Sequence, residues 1–364
     1  MAIKYLSKTR PSLLRGTALL RLDFNTKDDW RMKAVLPTIK FLLKTSKTVI
    51  VVSHRGRPVG FDRKLSLKHD AVMLGRLIEK KVIFVPHFRF GEIKKMVTSA
   101  PRGSVFLLEN LRYMKAEEAN DISFAKHLAS LADFYVNDAF AVSHRANASI
   151  AAITKFLPSY AGFELENEIA SLSRAMLQPK RPLALILGGA KAADKLGIIT
   201  FFKSKADKFL LGGGPANTIL WLKGTDVKRS VKDTDPKDLK TLRAVAQWKS
   251  IVLPEDFVWH ESMIWDIGPK SVKAFSKYVA SARTILWSGP LGLIERKQYA
   301  HGSVAIARAI AKNRRAFSVA GGGETVMFLK KYGLDKKFSF ISTGGGAMVD
   351  FLGGKKLPGI EALK

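Results

Sequence analysis

The chain has 364 residues, 47% of them hydrophobic and 25% charged, which supplies apolar material for two ordinary cores and argues against disorder. It holds no cysteine, so a disulfide framework and a cysteine-ligated metal site are both excluded. The formal net charge is +30, divided as +14 over residues 1–180 and +16 over residues 181–364; an even spread favours a general anion-attracting field over a dedicated nucleic-acid arm.

The first twenty residues carry charges throughout and lack an apolar signal core. No uncharged stretch approaches the length of a membrane span. A cytoplasmic location with no membrane partner is therefore expected. Strands are predicted at Thr17–Phe24, Thr48–Ser53, Lys81–Val85, Ser104–Glu109 and Phe134–Asn137. A second series follows at Leu183–Leu187, Lys208–Leu211, Ser250–Leu253, Thr284–Trp287, Phe317–Ala320 and Phe338–Ser342. Runs such as VIVV and LALIL are continuously apolar, as parallel strands buried on both faces are. Helical patterns alternate with them, which implies right-handed βαβ units in open sheets. The segment FELENEIASLSRAML, with Glu early and Arg late, reads as an amphipathic helix matched to its own dipole. A breaker, PKRP, follows. One sheet is expected before this helix and one after it.

The two halves differ in chemistry. Glycine-rich strand ends lie in the second: GGAK (188–191), GGGP (212–215), GGGE (321–324) and STGGG (342–346). The first has strand ends with arginine and histidine: RLDFN, SHRGRP, ENLR and NDAFAVSHR. Ligands of open α/β sheets bind beyond the carboxyl ends of the strands, so two distinct binding faces are expected.

A glycine turn that opens a helix exposes N–H groups and a positive dipole end to phosphate. Both GGGETVMFLKK and GGGPANTILWL fit that pattern, although tight strand–helix packing explains a single triplet as well. No G-x-x-x-x-G-K-[ST] run occurs, which disfavours a P-loop enzyme. Lys191 and Lys195 stand four apart near a helix start, where two ammonium groups oppose the dipole and a bound anion would compensate them. In the first half Arg21, Arg31, Arg57, Arg112 and Arg145, with Asp23, Asn25, His54 and His144, read as a basic pocket for a small, highly anionic molecule. The histidines lack metal-ligand spacing, which argues against zinc.

Taken in order, RLDFN (21–25), SHRGRP (53–58), LENLR (108–112), NDAF (137–140) and HRA (144–146) resemble the substrate half of the phosphoglycerate kinase family. GGAK…DK, GGG…ANT, DIGPK (266–270), W-x-GP-x-G (287–292), GGGET and STGGGAM (342–348) resemble its nucleotide half. LPGIEAL resembles the tail that returns to the first domain. The resemblance implies an α/β protein of two Rossmann-like domains, each a mostly parallel sheet flanked by helices. Residues 1–160, with a returning tail at 350–364, would bind phosphoglycerate; 161–180 would form a hinge helix; 181–349 would bind nucleotide. It further implies reversible phosphoryl transfer between MgATP and the carboxylate of 3-phosphoglycerate, giving 1,3-bisphosphoglycerate and MgADP, by a hinge-bending monomer without specific nucleic-acid partners.

By the same resemblance Asp23, Phe24, Asn25, Arg31, His54, Arg57, Arg112 and Arg145 would hold the phosphoglycerate. Arg31 and Lys195 would be catalytic. Lys191, Lys195, Gly213, Gly214, Pro290, Glu295, Gly322, Gly323, Glu324 and Thr325 would meet the nucleotide, with Glu324 near Mg²⁺, directly or through a water. The chain departs from the family at several points. The loop after DFN is shortened to TKDDWR, and a stretch before DIGP is missing. Asn147 stands for a histidine, Ser288 for the asparagine of WNGP, and Glu324 for the aspartate of GGGD. An alternative is a catalytically weakened paralogue that binds anions or nucleotides; Arg31 and Lys195 argue against it and Glu324 argues for it.

Overall fold

A computed structural model describes residues 2–26 and 28–364. Lys27, in the shortened TKDDWR loop, lies outside the described residues. The chain forms two compact units. The first runs to Ile169 and takes in Lys356–Lys364; the second is Ala170–Lys355. The division falls within the helix Phe163–Leu177, and the helix Gly346–Leu352 belongs to the second unit.

Unit 1 is built on β1 (Thr17–Arg21), β2 (Thr48–Val52), β3 (Val82–Val85), β4 (Ser104–Leu108), β5 (Phe134–Asn137) and β6 (Ser159–Ala161). They pair in parallel in the order β3-β4-β2-β1-β5-β6. Every residue of β1, β2 and β5 is buried, as their unbroken apolar runs require of strands covered on both faces. β6 has no counterpart among the predicted strands. It is three residues long and follows Pro158, too short for a periodic signal. The returning segment closes this unit: Gly359 N–H donates to the Ser143 carbonyl at 2.8 Å, and a Cβ at Gly359 would lie 2.7 Å from the Ile150 side chain.

Unit 2 carries β7 (Leu183–Leu187), β8 (Lys208–Leu211), β9 (Ile251–Val252), β10 (Phe257–His260), β11 (Met263–Ile267), β12 (Thr284–Ser288), β13 (Phe317–Gly321) and β14 (Phe340–Ile341). Six of these form a parallel sheet in the order β14-β13-β12-β7-β8-β9, and β10 with β11 makes a separate antiparallel hairpin. The hairpin turns on Glu261 and Ser262, both at positive φ, the geometry of a type I′ turn, which ordinarily selects Asn and Gly. Its strands went unpredicted for that reason. Among the described residues no helix is long and apolar enough to cross a membrane.

In each sheet the strand order reverses once, between β1 and β5 and between β7 and β12. The crevices outside the carboxyl ends of those neighbours are where open α/β sheets hold ligands.

Candidate active site

In unit 1 the chain leaving β1 and β2 brings Asp23, Asn25 and His54 together. Asp23 accepts from Arg31 Nη1 at 2.5 Å and from the Asn25 N–H at 2.9 Å. Asn25 Oδ1 accepts from the Gly56 N–H at 2.9 Å, which fixes the SHRGRP loop against RLDFN. His54 Nδ1 stands 3.8 Å from Asp23 and 3.3 Å from Arg21 Nη2. Burial raises the Asp23 carboxyl, but His54, Arg31, the Asn25 N–H and Arg21 outweigh it and hold the group below the usual range. His54 moves well below an ordinary histidine, chiefly through burial, with Asp23 opposing the shift and Arg21, Arg112 and Arg145 adding to it.

Arg112 is positioned by Nη1 donating to the Gly56 carbonyl at 2.5 Å and by Glu118 at 3.2 Å. Burial and the neighbouring Arg145 depress its pKa. Arg145 Nε donates to His144 at 3.3 Å. Arg145 and Arg21 both repel Arg112, which Glu118 and Glu117 offset in part, an arrangement that a multiply charged anion relieves further. Arg57 lies at the exposed rim of the same loop.

Two first-half expectations need correction. Arg21 does not reach the ligand-facing surface: its side chain is 2% exposed, with Nε on Ser149 Oγ at 2.8 Å and Glu117 3.9 Å away. It sits behind His54 as part of the support, because β1 is covered on both faces and its last side chain cannot reach solvent. Phe24 packs in the core of unit 1, its N–H donates to Ser53 Oγ and its carbonyl accepts from the Thr26 N–H at 2.8 Å, so the residue supports the loop and offers a ligand neither its N–H nor its ring.

In unit 2 the glycine turns meet at the β7/β12 crevice. Gly189 N–H donates to the Pro290 carbonyl at 2.7 Å, and a Cβ on Gly188 would sit 2.0 Å from that same oxygen. A Cβ on Gly214 would lie 1.9 Å from the Ala190 carbonyl. These glycines therefore serve close backbone packing. The GGGP turn does not offer its amides to phosphate: Gly213 N–H donates to Leu291 and Gly214 N–H to Gly189, and Pro215 has none. The GGGE turn differs. Gly322 has φ +96°, Gly323 opens on empty space, and the helix Gly323–Lys331 begins there with first-turn amides that have no intrahelical acceptor.

A cleft of about 280 Å³ runs past these turns. Gly213, Gly214 and Pro290 line it, and Glu295 and Glu324 stand at its exposed edges. Its apolar wall comes from Val231 and from Met263, Ile264 and Trp265 of the hairpin, none of which the sequence reading had singled out. Asn217, from the ANT part of the GGG…ANT motif, lines it as well. Lys195 Nζ donates to Ser288 Oγ at 3.0 Å. Burial lowers the Lys195 pKa, while Asp194 and Glu324 pull it back. Thr325 is buried and accepts from the Gly289 N–H at 2.9 Å, so its hydroxyl holds the W-x-GP turn. Lys191 is exposed. Among the described residues no group of three or more His, Asp or Glu could alone hold a metal ion.

An arginine cluster on one α/β unit and, on the other, a glycine-walled cleft whose edge residue Glu324 acts on the charge of half-buried Lys195 are what a phosphotransferase would use for an anionic substrate and a nucleotide. The phosphoglycerate kinase family model matches residues 13–355. The chain is 40% identical to the phosphoglycerate kinase of Dictyoglomus turgidum over 394 aligned residues, covering 100% of both proteins. It is 41% identical to the cytosolic phosphoglycerate kinase of Triticum aestivum, covering 92% of this chain and 90% of that one. The structure of phosphoglycerate kinase from Coxiella burnetii superposes with a TM-score of 0.85 at 30% identity, over 100% of this chain and 99% of that one. The chain belongs to the phosphoglycerate kinase family, and the weakened-paralogue alternative is not favoured.

Proposed function

We propose that the chain catalyses reversible phosphoryl transfer between MgATP and the carboxylate of 3-phosphoglycerate, acting as a cytoplasmic monomer. The observation that carries this reading is the occurrence of a cluster of arginines around His54 in one unit together with Lys195, which lies close enough to Glu324 of the cleft edge to feel its charge, in the other. Arg112, Arg145 and Arg57 bind the substrate phosphate and orient its carboxylate. That carboxylate has an ordinary pKa of roughly 3–4 and is already ionised, so its oxygen attacks the γ-phosphorus without a general base. The bond from the γ-phosphorus to the bridging oxygen breaks, and ADP leaves with that electron pair. Arg31 and Lys195 stabilise charge on the transferring group. Transfer between ligands held on separate units requires closure about the Phe163–Leu177 helix, which also excludes water.

The donor set fits magnesium, which keeps several waters and takes only one or two protein carboxylates beside substrate phosphates. Glu324, exposed at the cleft edge and close enough to Lys195 to act on its charge, would hold it, and the ion would neutralise charge on the nucleotide phosphates.

A coupled assay with 3-phosphoglycerate and MgATP tests the reading; no turnover in either direction by folded protein would overturn it. Glu324→Gln is expected to lower kcat about tenfold or more and to raise the Mg²⁺ concentration needed for half-maximal rate. Its melting temperature should stay nearly constant, since the carboxylate's effect on its helix N-terminus is only about 0.3–1 kcal/mol. Glu324→Asp should remain active, and a magnesium titration of the three proteins checks both expectations.

A further inference from the structure

Between His54 and Gly56 the SHRGRP loop carries Arg55, whose guanidinium is engaged on three sides within unit 1. Its Nε donates to Asp70 Oδ2 at 3.2 Å and its Nη2 to Asp70 Oδ1 at 2.5 Å, a bidentate fork on one carboxylate. Its Nη1 donates to the Thr26 carbonyl at 2.8 Å. Asp70 stands in the first turn of the helix Lys68–Ile78 and is buried. The backbone of Arg55 is held as firmly as its side chain. Buried Asn110 accepts the Arg55 N–H at 3.2 Å and donates to the Arg55 carbonyl at 2.8 Å. A planar guanidinium fastened along one edge, on a backbone fastened at both groups, presents its remaining donor at a fixed place.

That donor meets the short connection leading to Arg31. Thr26 follows Asn25, which the Gly56 N–H already holds. The Thr26 hydroxyl donates to the Asp28 carbonyl at 2.7 Å, and two residues later begins the helix Trp30–Ala34, which carries Arg31. A cavity of about 280 Å³ is lined by Thr26, Asp28 and Met32 from this stretch and by His69, Asp70 and Met73 from the helix Lys68–Ile78. Close packing therefore does not join the two, and Arg55, which also lines the cavity, spans them. Met32 seats the Arg31 helix in the core, and Arg55 fixes its entry. We propose that Arg55 is a positioning residue for phosphoryl transfer: braced on Asp70, it holds the turn at Thr26 and thereby aims the helix that carries Arg31. Asp23 fixes the far end of the Arg31 side chain; Arg55 fixes the backbone from which it springs. This assignment rests on the catalytic reading of Arg31.

The test is a double-mutant cycle in steady-state kinetics of the full chain with 3-phosphoglycerate and MgATP. Arg55→Leu is expected to lower kcat about tenfold or more and to change the Michaelis constant for 3-phosphoglycerate by less than about threefold, the mark of a misplaced catalytic group. In the Arg31→Ala background the same substitution should lower kcat by less than about twofold, because the group it positions is gone. A residue that only stabilises the unit would give equal losses in both backgrounds. Arg55→Leu leaves the buried Asp70 carboxylate without its cation, so Arg55→Leu/Asp70→Asn is measured alongside it and decides the matter if the single variant does not fold. No loss of kcat, equal fold losses in the two backgrounds, or a loss confined to the Michaelis constant would overturn the assignment while leaving the role of Arg31 in place. An unchanged kcat in Arg31→Ala itself would overturn both.

Discussion

Arg31→Ala is expected to lower kcat by about 10²–10³-fold while changing the Michaelis constant for 3-phosphoglycerate by less than about threefold. The structure ties Nη1 of Arg31 to Asp23 at 2.5 Å and leaves its buried Nε without an acceptor. One edge of the guanidinium is thus anchored in place, and other donors remain for charge that appears only as the phosphoryl group moves. A group of that kind contributes to the transition state more than to the bound substrate. Arg145 makes the contrast. Its Nε donates to His144 and it sits beside Arg112, as a ground-state anchor does, and Arg145→Ala should chiefly raise the Michaelis constant. Steady-state kinetics on the two variants separates the roles, and a loss confined to the Michaelis constant in Arg31→Ala would remove it from the catalytic step.

Lys195→Met is expected to cost about a hundredfold or more in kcat, because it deletes a half-buried positive charge in a site where charges act through little water. The pH dependence is the more specific sign. Burial lowers the Lys195 pKa below its ordinary 10.5. A lysine is charged below its pKa, so activity is present near neutrality and is lost as pH rises, at a lower pH than an ordinary lysine would give. Lys195→Arg, whose guanidinium stays charged throughout, should keep partial activity and lose that alkaline limb. Rate profiles from neutrality to the ordinary lysine pKa check this; identical limbs in the two proteins would place the titrating group elsewhere.

The sheets were largely legible because their strands are buried on both faces. TVIVV and LALIL can be nothing but central strands, and all five residues of each are buried. The β10–β11 hairpin was not legible. Its turn uses Glu261 and Ser262 where the common signal is Asn-Gly, and only Asp266 and Ile267 of its strand residues are fully buried. With it went the apolar cleft wall of Met263, Ile264 and Trp265. The pocket residues of unit 1 could be named from their strand-end positions, but depth could not. Arg21 and Arg112 look alike in sequence, and only the sheet shows that Arg21 is the supporting residue.

The segment Lys356–Lys364 gives the molecule an order of assembly. Unit 1 includes it, yet it follows the whole of unit 2 in the chain. A ribosome therefore finishes the second unit before it supplies the residues that complete the first. Until then Ile150 and the Ser143 carbonyl, which Gly359 covers and pairs, stand uncovered, together with Asn137, whose Nδ2 reaches the Gly359 carbonyl at 3.4 Å. The half made first reaches its final form last, and a nascent chain stalled between Ile150 and Lys356 leaves that surface without its cover.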